Sequence, residues 1–201
     1  MPFESFLQHT GIVAPMPAQN IDTDTIMPKT FLKGIDREGL AEGVFYNLRH
    51  DKFGKINPDF ILNKKQWLNS KFIAAGPNFG CGSSREHAVW GLQQFGIKAI
   101  FASSFAGIFF DNCARNGLLA IEISEANVKT LMHCANSGRQ LTIDLKSQTI
   151  ETPDTTIKFD ISNKRKHMLL NGLDAIDMTL ERKHEIDAFQ AKYLTKFSWL
   201  T

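Results

Sequence analysis

The stretch FIAAGPNFGCGSSREHAVWGLQQFGIKAIFAS, residues 72–103, sets two short apolar runs on either side of a glycine-rich loop and an amphipathic segment. Phe72-Ile73-Ala74-Ala75 reads as a buried strand that Gly76 and Pro77 end. Ser83 stands three residues before Glu86, the spacing of a capping box, and predicts a helix start at Ser83. Ala88, Leu92 and Phe95 follow at i, i+4 and i+7 with Val89 beside them, which makes one apolar face. Gly96 is a natural stop, and Ile97 to Ser103 forms a second buried strand. The pattern is a strand, glycine loop, helix and strand with a right-handed crossover, so the loop lies at the carboxyl end of a strand.

The loop's residue types suit a small anion held over a hydroxyl. Gly80 and Gly82 allow close approach of backbone N–H groups, and a helix N-terminus favours negative charge. Arg85 adds a planar fork of donors matched to a carboxylate. The same residues also serve a plain tight turn, with Ser83 as a cap and Arg85 solvated, and spacing alone does not choose. GCGSS lacks the lysine of a Walker A loop and does not form a G-x-S-x-G elbow. A helix N-terminus could activate Cys81 as a nucleophile, but a small residue filling a tight loop is the simpler role.

At 201 residues with 43% hydrophobic content, the chain can bury one substantial core. One domain, 1–201, is the default. A formal net charge of +2 argues against nucleic acid or an anionic membrane as partner. Lys164-Arg165-Lys166-His167 is the one local basic excess and reads as a solvated face. MPFESFLQ does not resemble a secretory leader, and the apolar region 97–110 is interrupted by Lys98, Ser103, Ser104 and Gly107, short of a membrane span. The expectation is a cytoplasmic protein.

TGIVAP, residues 10–15, suggests an opening strand, followed by a polar loop to Pro28 and a helix start at Phe31 to Gly34. Residues 35–59 read as a long irregular connection. Residues 141–161 alternate with β-branched enrichment and predict antiparallel hairpins. Residues 164–192 return to helical spacing. Met168, Leu169, Leu173 and Ile176 make one expected face, and Leu180, His184, Ile186 and Phe189 belong to a further helix packing on the sheet. The class is α/β, with a mixed sheet flanked by helices.

Cys81, Cys113 and Cys134 lie 32 and 21 residues apart without a C-x-x-C pattern. They read as isolated thiols of a reducing compartment. The six histidines fall in no H-x-x-x-H or H-x-H pattern. His87, in the first helical turn, has either a structural role or one in orienting Arg85.

The string GCGSSREHA resembles the signature of the swivelling domain of the aconitase superfamily. HTGIVAP (9–15), NIDTDTIMPKTFLK (20–33), NPDF (57–60), SFAGIFFDN (104–112), NGLL (116–119) and NGLDAIDMTL (171–180) extend the similarity to the small subunits of bacterial 3-isopropylmalate dehydratase. The resemblance implies a single swivelling β/β/α domain. It also implies a hydro-lyase that moves a hydroxyl between adjacent carbons of 2-isopropylmalate through an alkene diacid, in leucine biosynthesis. Ser83 takes the role of the base that removes a carbon-bound proton, Ser84 and Arg85 hold substrate carboxylate, and Asp24 lies near the same site. Preorganised donors would stabilise the charge built on the carboxylate, and acid–base help of this kind is worth about 100- to 10,000-fold. The leaving hydroxyl needs a Lewis acid, which the family supplies as a 4Fe–4S cluster. The dispersed cysteines resemble no cluster ligand set, so the resemblance implies no cofactor on this chain and an obligate large subunit that carries the cluster.

The region 35–59 distinguishes substrates in the family, which makes Tyr46, Leu48 and Arg49 specificity candidates; their other reading is a patch tacked onto the core. Related aconitases carry an additional arginine after the segment matching FLK at 31–33, for a third carboxylate. Nothing in Gly34-Ile35-Asp36-Arg37 matches it with assurance, so a branched alkyl substrate is favoured. Homoaconitate or methylmalate-type substrates, a non-catalytic carboxylate-binding subunit and a stand-alone serine hydrolase are the alternatives.

Overall fold

The computed structural model describes residues 3–32 and 38–200. Seven strands form one sheet in the order β4-β3-β2-β1-β5-β6-β7: β1 (Gln8–Met16), β2 (Phe72–Ala75), β3 (Ala99–Ala102), β4 (Leu119–Glu122), β5 (Gln140–Asp144), β6 (Thr149–Glu151) and β7 (Thr156–Lys158). Strands β1 to β4 run parallel, with Val13 opposite Phe72 and Ile100 opposite both Ile73 and Ala120. Strands β1, β5, β6 and β7 pair antiparallel, as the alternation over 141–161 predicts. The helices are α1 (Thr23–Ile26), α2 (Tyr46–Arg49), α3 (Glu86–Gln94), α4 (Gly107–Asn116), α5 (Glu125–Asn136), α6 (Asn163–Asn171), α7 (Ala175–Leu180) and α8 (Lys183–Lys196).

Parallel strands must be covered on both faces, which is why β2 and β3 read as unbroken apolar runs. Ile73, Ala75, Ile100 and Ala102 face a core that includes Leu92 of α3 and Phe109 and Cys113 of α4. Phe72, Ala74, Ala99 and Phe101 face the second core, which includes Val128 and Leu131 of α5 and Ile143 and Ile150 of the hairpins. Each buried leucine or phenylalanine contributes about 1.5–3 kcal/mol, so both layers are needed to hold the sheet.

Several elements escape the one-dimensional pattern. The segment 104–136 contains α4, β4 and α5. Gly117 ends α4 in the left-handed region at φ 82, and Ser124 caps α5 by accepting from the N–H of Asn127. The polar loop before Pro28 contains α1, capped by the Asp22 carboxylate, which accepts from the Thr25 N–H at 2.6 Å. The supposed helix start at 31–34 is a single 3-10 turn at Lys29–Phe31, and its continuation, with Gly34 to Arg37, lies outside the described residues. The connection 35–59 is less irregular than expected, since it holds a turn at Leu40–Gly43 and α2.

The C-terminal expectation is corrected. Gly172, at φ 66, ends α6 and breaks the proposed single face: Met168 and Leu169 are buried, whereas Ile176 is 68% exposed. Helix α8 does not pack on the sheet, for none of its residues is buried. Hairpins and α5 already cover that face of the sheet with Leu169 of α6, so no apolar surface is left there for α8 to fill. No helix among the described residues is long and apolar enough to cross a membrane.

Candidate active site

The loops after β1, β2 and β3 meet at the carboxyl ends of their strands. Residues 78 and 20 are tied side chain to side chain, Asn78 Nδ2 donating to Asn20 Oδ1 at 2.8 Å, and the Asn78 N–H donates to Ser104 Oγ at 2.9 Å. Ala106 N–H donates to Phe79 O at 3.0 Å, and Gly80 N–H to Ile21 O at 2.7 Å. The role expected for Gly80 therefore changes. Its N–H is spent inside the protein, and the glycine is required because φ is 78 and a Cβ would come within 2.1 Å of the Phe109 ring. Gly82, at φ 89, is the glycine of the pair that lies exposed at the loop surface.

Residues 81–83 are held against the start of α1. Thr23 N–H donates to Cys81 O at 2.8 Å, and the buried Thr23 hydroxyl donates to Ser83 O at 2.9 Å. These ties overturn the expected capping box: α3 begins at Glu86, Arg85 occupies the capping position, and no side chain caps the helix. Ser83 and Ser84 are left exposed. The uncapped first turn keeps N–H donors and the positive end of the helix dipole near the two hydroxyls. Gly96 follows the expected stop, at φ 102 just past the helix.

Arg85 and Asp24 come together from elements 61 residues apart. The guanidinium makes a two-pronged ion pair, Nη1 to Oδ1 and Nη2 to Oδ2, the latter at 3.1 Å, and Nη1 also donates to Met27 O at 3.5 Å. The arginine side chain is only 11% exposed and the aspartate 47%. The Arg85 hydrogen bond holds the Asp24 carboxyl below the usual aspartate range, so the group is ionised at neutral pH. The ionised Asp24 carboxylate fixes the orientation of the Arg85 guanidinium.

The specificity candidates sit on α2, whose capping residue Phe45 donates its N–H to Ile26 O of α1 at 2.9 Å. Arg49 donates to Val44 O at 3.2 Å and Ala41 O at 3.4 Å, and its guanidinium sits 4.7 Å from the Phe95 ring centroid. Burial lowers its pKa. Tyr46 lies between the rings of Phe31, at 5.0 Å, and His50, at 4.3 Å. Leu48 is 38% exposed. His87 leans on Trp90 with ring centroids 4.7 Å apart.

Sequence pattern does not mark Thr23 or Asp22 as part of the site. The signal available was the density of Asp and Thr in NIDTDTI, but nothing local says that a threonine 60 residues away fastens the serine loop. Two clefts, of about 730 and 650 Å³, are lined by other residues. Ser83 and Ser84 are themselves exposed at the loop surface.

The sequence profile of the Aconitase C-terminal domain matches residues 3–126, and a second profile, LeuD_N, matches residues 129–162. The chain belongs to the aconitase superfamily, among the 3-isopropylmalate dehydratase small subunits. It is 48% identical over 199 residues to "3-isopropylmalate dehydratase small subunit 1" of Mannheimia succiniciproducens, covering 98% of each chain. It is 49% identical over 200 residues to the small subunit of Dinoroseobacter shibae, covering 98% of this chain and all of that one. A crystal structure of 3-isopropylmalate dehydratase from Methanocaldococcus jannaschii matches with a TM-score of 0.65 and 30% identity, over 93% of this chain and 99% of that chain.

The chain's own thiols do not fit an iron–sulfur cluster. Cys113 is buried in the α4 core, where burial pushes its thiol pKa well up, and Cys134 is buried in α5 with its pKa raised by the same cause. Cys81 alone lies near the loop, with its Sγ 3.4 Å from Asn20 O. Among the described residues no group of three His, Cys, Asp or Glu side chains is placed to hold a metal ion.

Proposed function

We propose that this chain is the small subunit of a hydro-lyase that interconverts 2- and 3-isopropylmalate through 2-isopropylmaleate in leucine biosynthesis, working in the cytoplasm. The observation that carries the reading is the exposed Ser83-Ser84 pair at an uncapped helix start, beside an arginine fixed by a buried-edge ion pair, on a chain of this family. The exposure of the two serines fits half of a reaction centre that a large subunit closes. The Lewis acid for the departing hydroxyl, a 4Fe–4S cluster by family analogy, is assigned to that large subunit.

Ser83 is the proton acceptor. The first-turn N–H groups of α3 and the Arg85 charge lower the cost of negative charge on its oxygen. Ser84 and Arg85 engage a substrate carboxylate, and Asp24 holds Arg85 in place for that contact. Charge that develops on the carboxylate during proton removal is met by donors already oriented, with no reorganisation at the moment of reaction. Around Leu48, the specificity loop within 35–59 is kept in shape by Arg49, whose donors are used internally. Leu48, partly exposed, is the specificity candidate that presents an apolar side chain there.

The test mixes the purified chain with a cluster-loaded large subunit and follows alkene formation from 2-isopropylmalate by ultraviolet absorbance. Wild type is expected to be active only in the mixture, and Ser83→Ala to lose about 100- to 10,000-fold in kcat. Activity of the chain alone, or full turnover by Ser83→Ala, would end this reading.

A further inference from the structure

Seven of the thirteen exposed large apolar side chains among the described residues fall within 176–200. On α8, Ile186, Phe189 and Tyr193 follow at i, i+3 and i+7, and the rings of Phe189, Tyr193, Phe197 and Trp199 touch in series with centroids 5.6, 4.8 and 5.2 Å apart. Phe189 is 67% and Trp199 74% exposed. A 14-residue helix is marginal in water without a tertiary partner, and an aromatic ladder in solvent opposes the hydrophobic effect. This face is built to be covered.

We infer that α7 and α8 form the docking element for the large subunit, a claim that rests on the functional reading above. Continuity with the reaction face selects this occupant. The cleft of about 730 Å³ is lined both by Glu86, the neighbour of Arg85, and by Ala175 and Ile176 of α7. A body seated over Ser83 to complete the centre reaches the apolar side of α7 across that cleft. Specific interfaces bury about 1,200–2,000 Å² in total and draw their energy from a few aromatic anchors. The serine loop offers none, whereas α8 presents the exposed rings of Phe189 and Tyr193 and the turn after it presents that of Trp199.

The test uses Phe189→Ser combined with Tyr193→Ser, two exposed positions whose change leaves both buried cores intact. Affinity for the large subunit is measured by titration calorimetry, in the wild-type and Ser83→Ala backgrounds. The double variant is expected to bind at least tenfold more weakly and to regain wild-type kcat at saturating large subunit. Hydrogen exchange provides the second readout: amides of 183–196 should become protected when the wild-type pair forms. Equal affinity of the double variant, or no new protection over 183–196, overturns the inference. So does a homodimer of the isolated chain that the double variant abolishes, since the face would then belong to a second copy. Tight binding without hydro-lyase activity overturns the functional reading alone, and no association of the wild-type pair overturns both.

Discussion

The sequence marks Arg85 as a candidate carboxylate ligand from its place after two serines, yet it does not mark its partner. Asp24 lies 61 residues earlier, and only the meeting of the β1 and β2 loops brings the carboxylate onto the guanidinium. Removing the charge with Asp24→Asn leaves the shape but frees Arg85 to turn. Since small misplacements of a positioned group cost up to about 100-fold, kcat of the assembled enzyme should fall about 10- to 100-fold, as read by steady-state kinetics with saturating large subunit. The pair also has a pH signature. Asp24 titrates below the usual aspartate range because Arg85 stabilises its charged form. The pair's contribution is therefore whole at neutral pH and is lost only as acid takes the pH down through that lowered value. Carboxyl carbon NMR should show the Asp24 midpoint rising toward the usual range in Arg85→Ala; a midpoint that stays put would mean the two are apart in solution. Ser83 shows the opposite kind of error. Its spacing to Glu86 satisfies a cap, but Thr23 holds the Ser83 carbonyl, and this keeps the serine out of the helix and exposed.

At the scale of elements, the strand, loop, helix and strand over 72–103 form in the order the sequence predicts, with the helix start moved from Ser83 to Glu86, because both strands are fully buried and need unbroken apolar runs. The two glycines bounding α3 are not equivalent. Gly80 combines φ 78 with a Cβ position 2.1 Å from Phe109, while Gly96 has φ 102 and open space around it. Gly80→Ala pays both left-handed strain and overpacking and should destabilise by about 2–5 kcal/mol. Gly96→Ala pays the strain alone, about 1–2 kcal/mol. Urea unfolding followed by tryptophan fluorescence distinguishes them, and equal midpoints would show that Phe109 moves aside at little cost. Sequence periodicity could flag both glycines as punctuation, but only the packing of α4 against the loop separates them.

For the whole molecule, the two cores close around one seven-stranded sheet without help from α8. Ending the chain after Arg182 should therefore change stability by less than about 1 kcal/mol, a Tm shift within about 4 °C for a chain of this size. Calorimetry showing a larger loss would mean that α8 supports the fold. Helical spacing over 183–196 is real, and the mistaken part was the surface assigned to it: periodicity reports that a face is apolar, never what covers it. The residues alone determined the α/β class, the parallel unit at 72–103 and the hairpins of 141–161, and they marked the Ser83-Ser84-Arg85 run as the candidate site, because each follows from local pattern and residue chemistry within about 30 positions. The tertiary structure alone decided the strand order, the Thr23 clasp on the serine loop, the Asp24 partnership of Arg85, the internal use of Arg49 and the exposure of α8. Each of these is a contact or an absence of contact between distant segments, fixed by how two finite cores divide the available apolar surface.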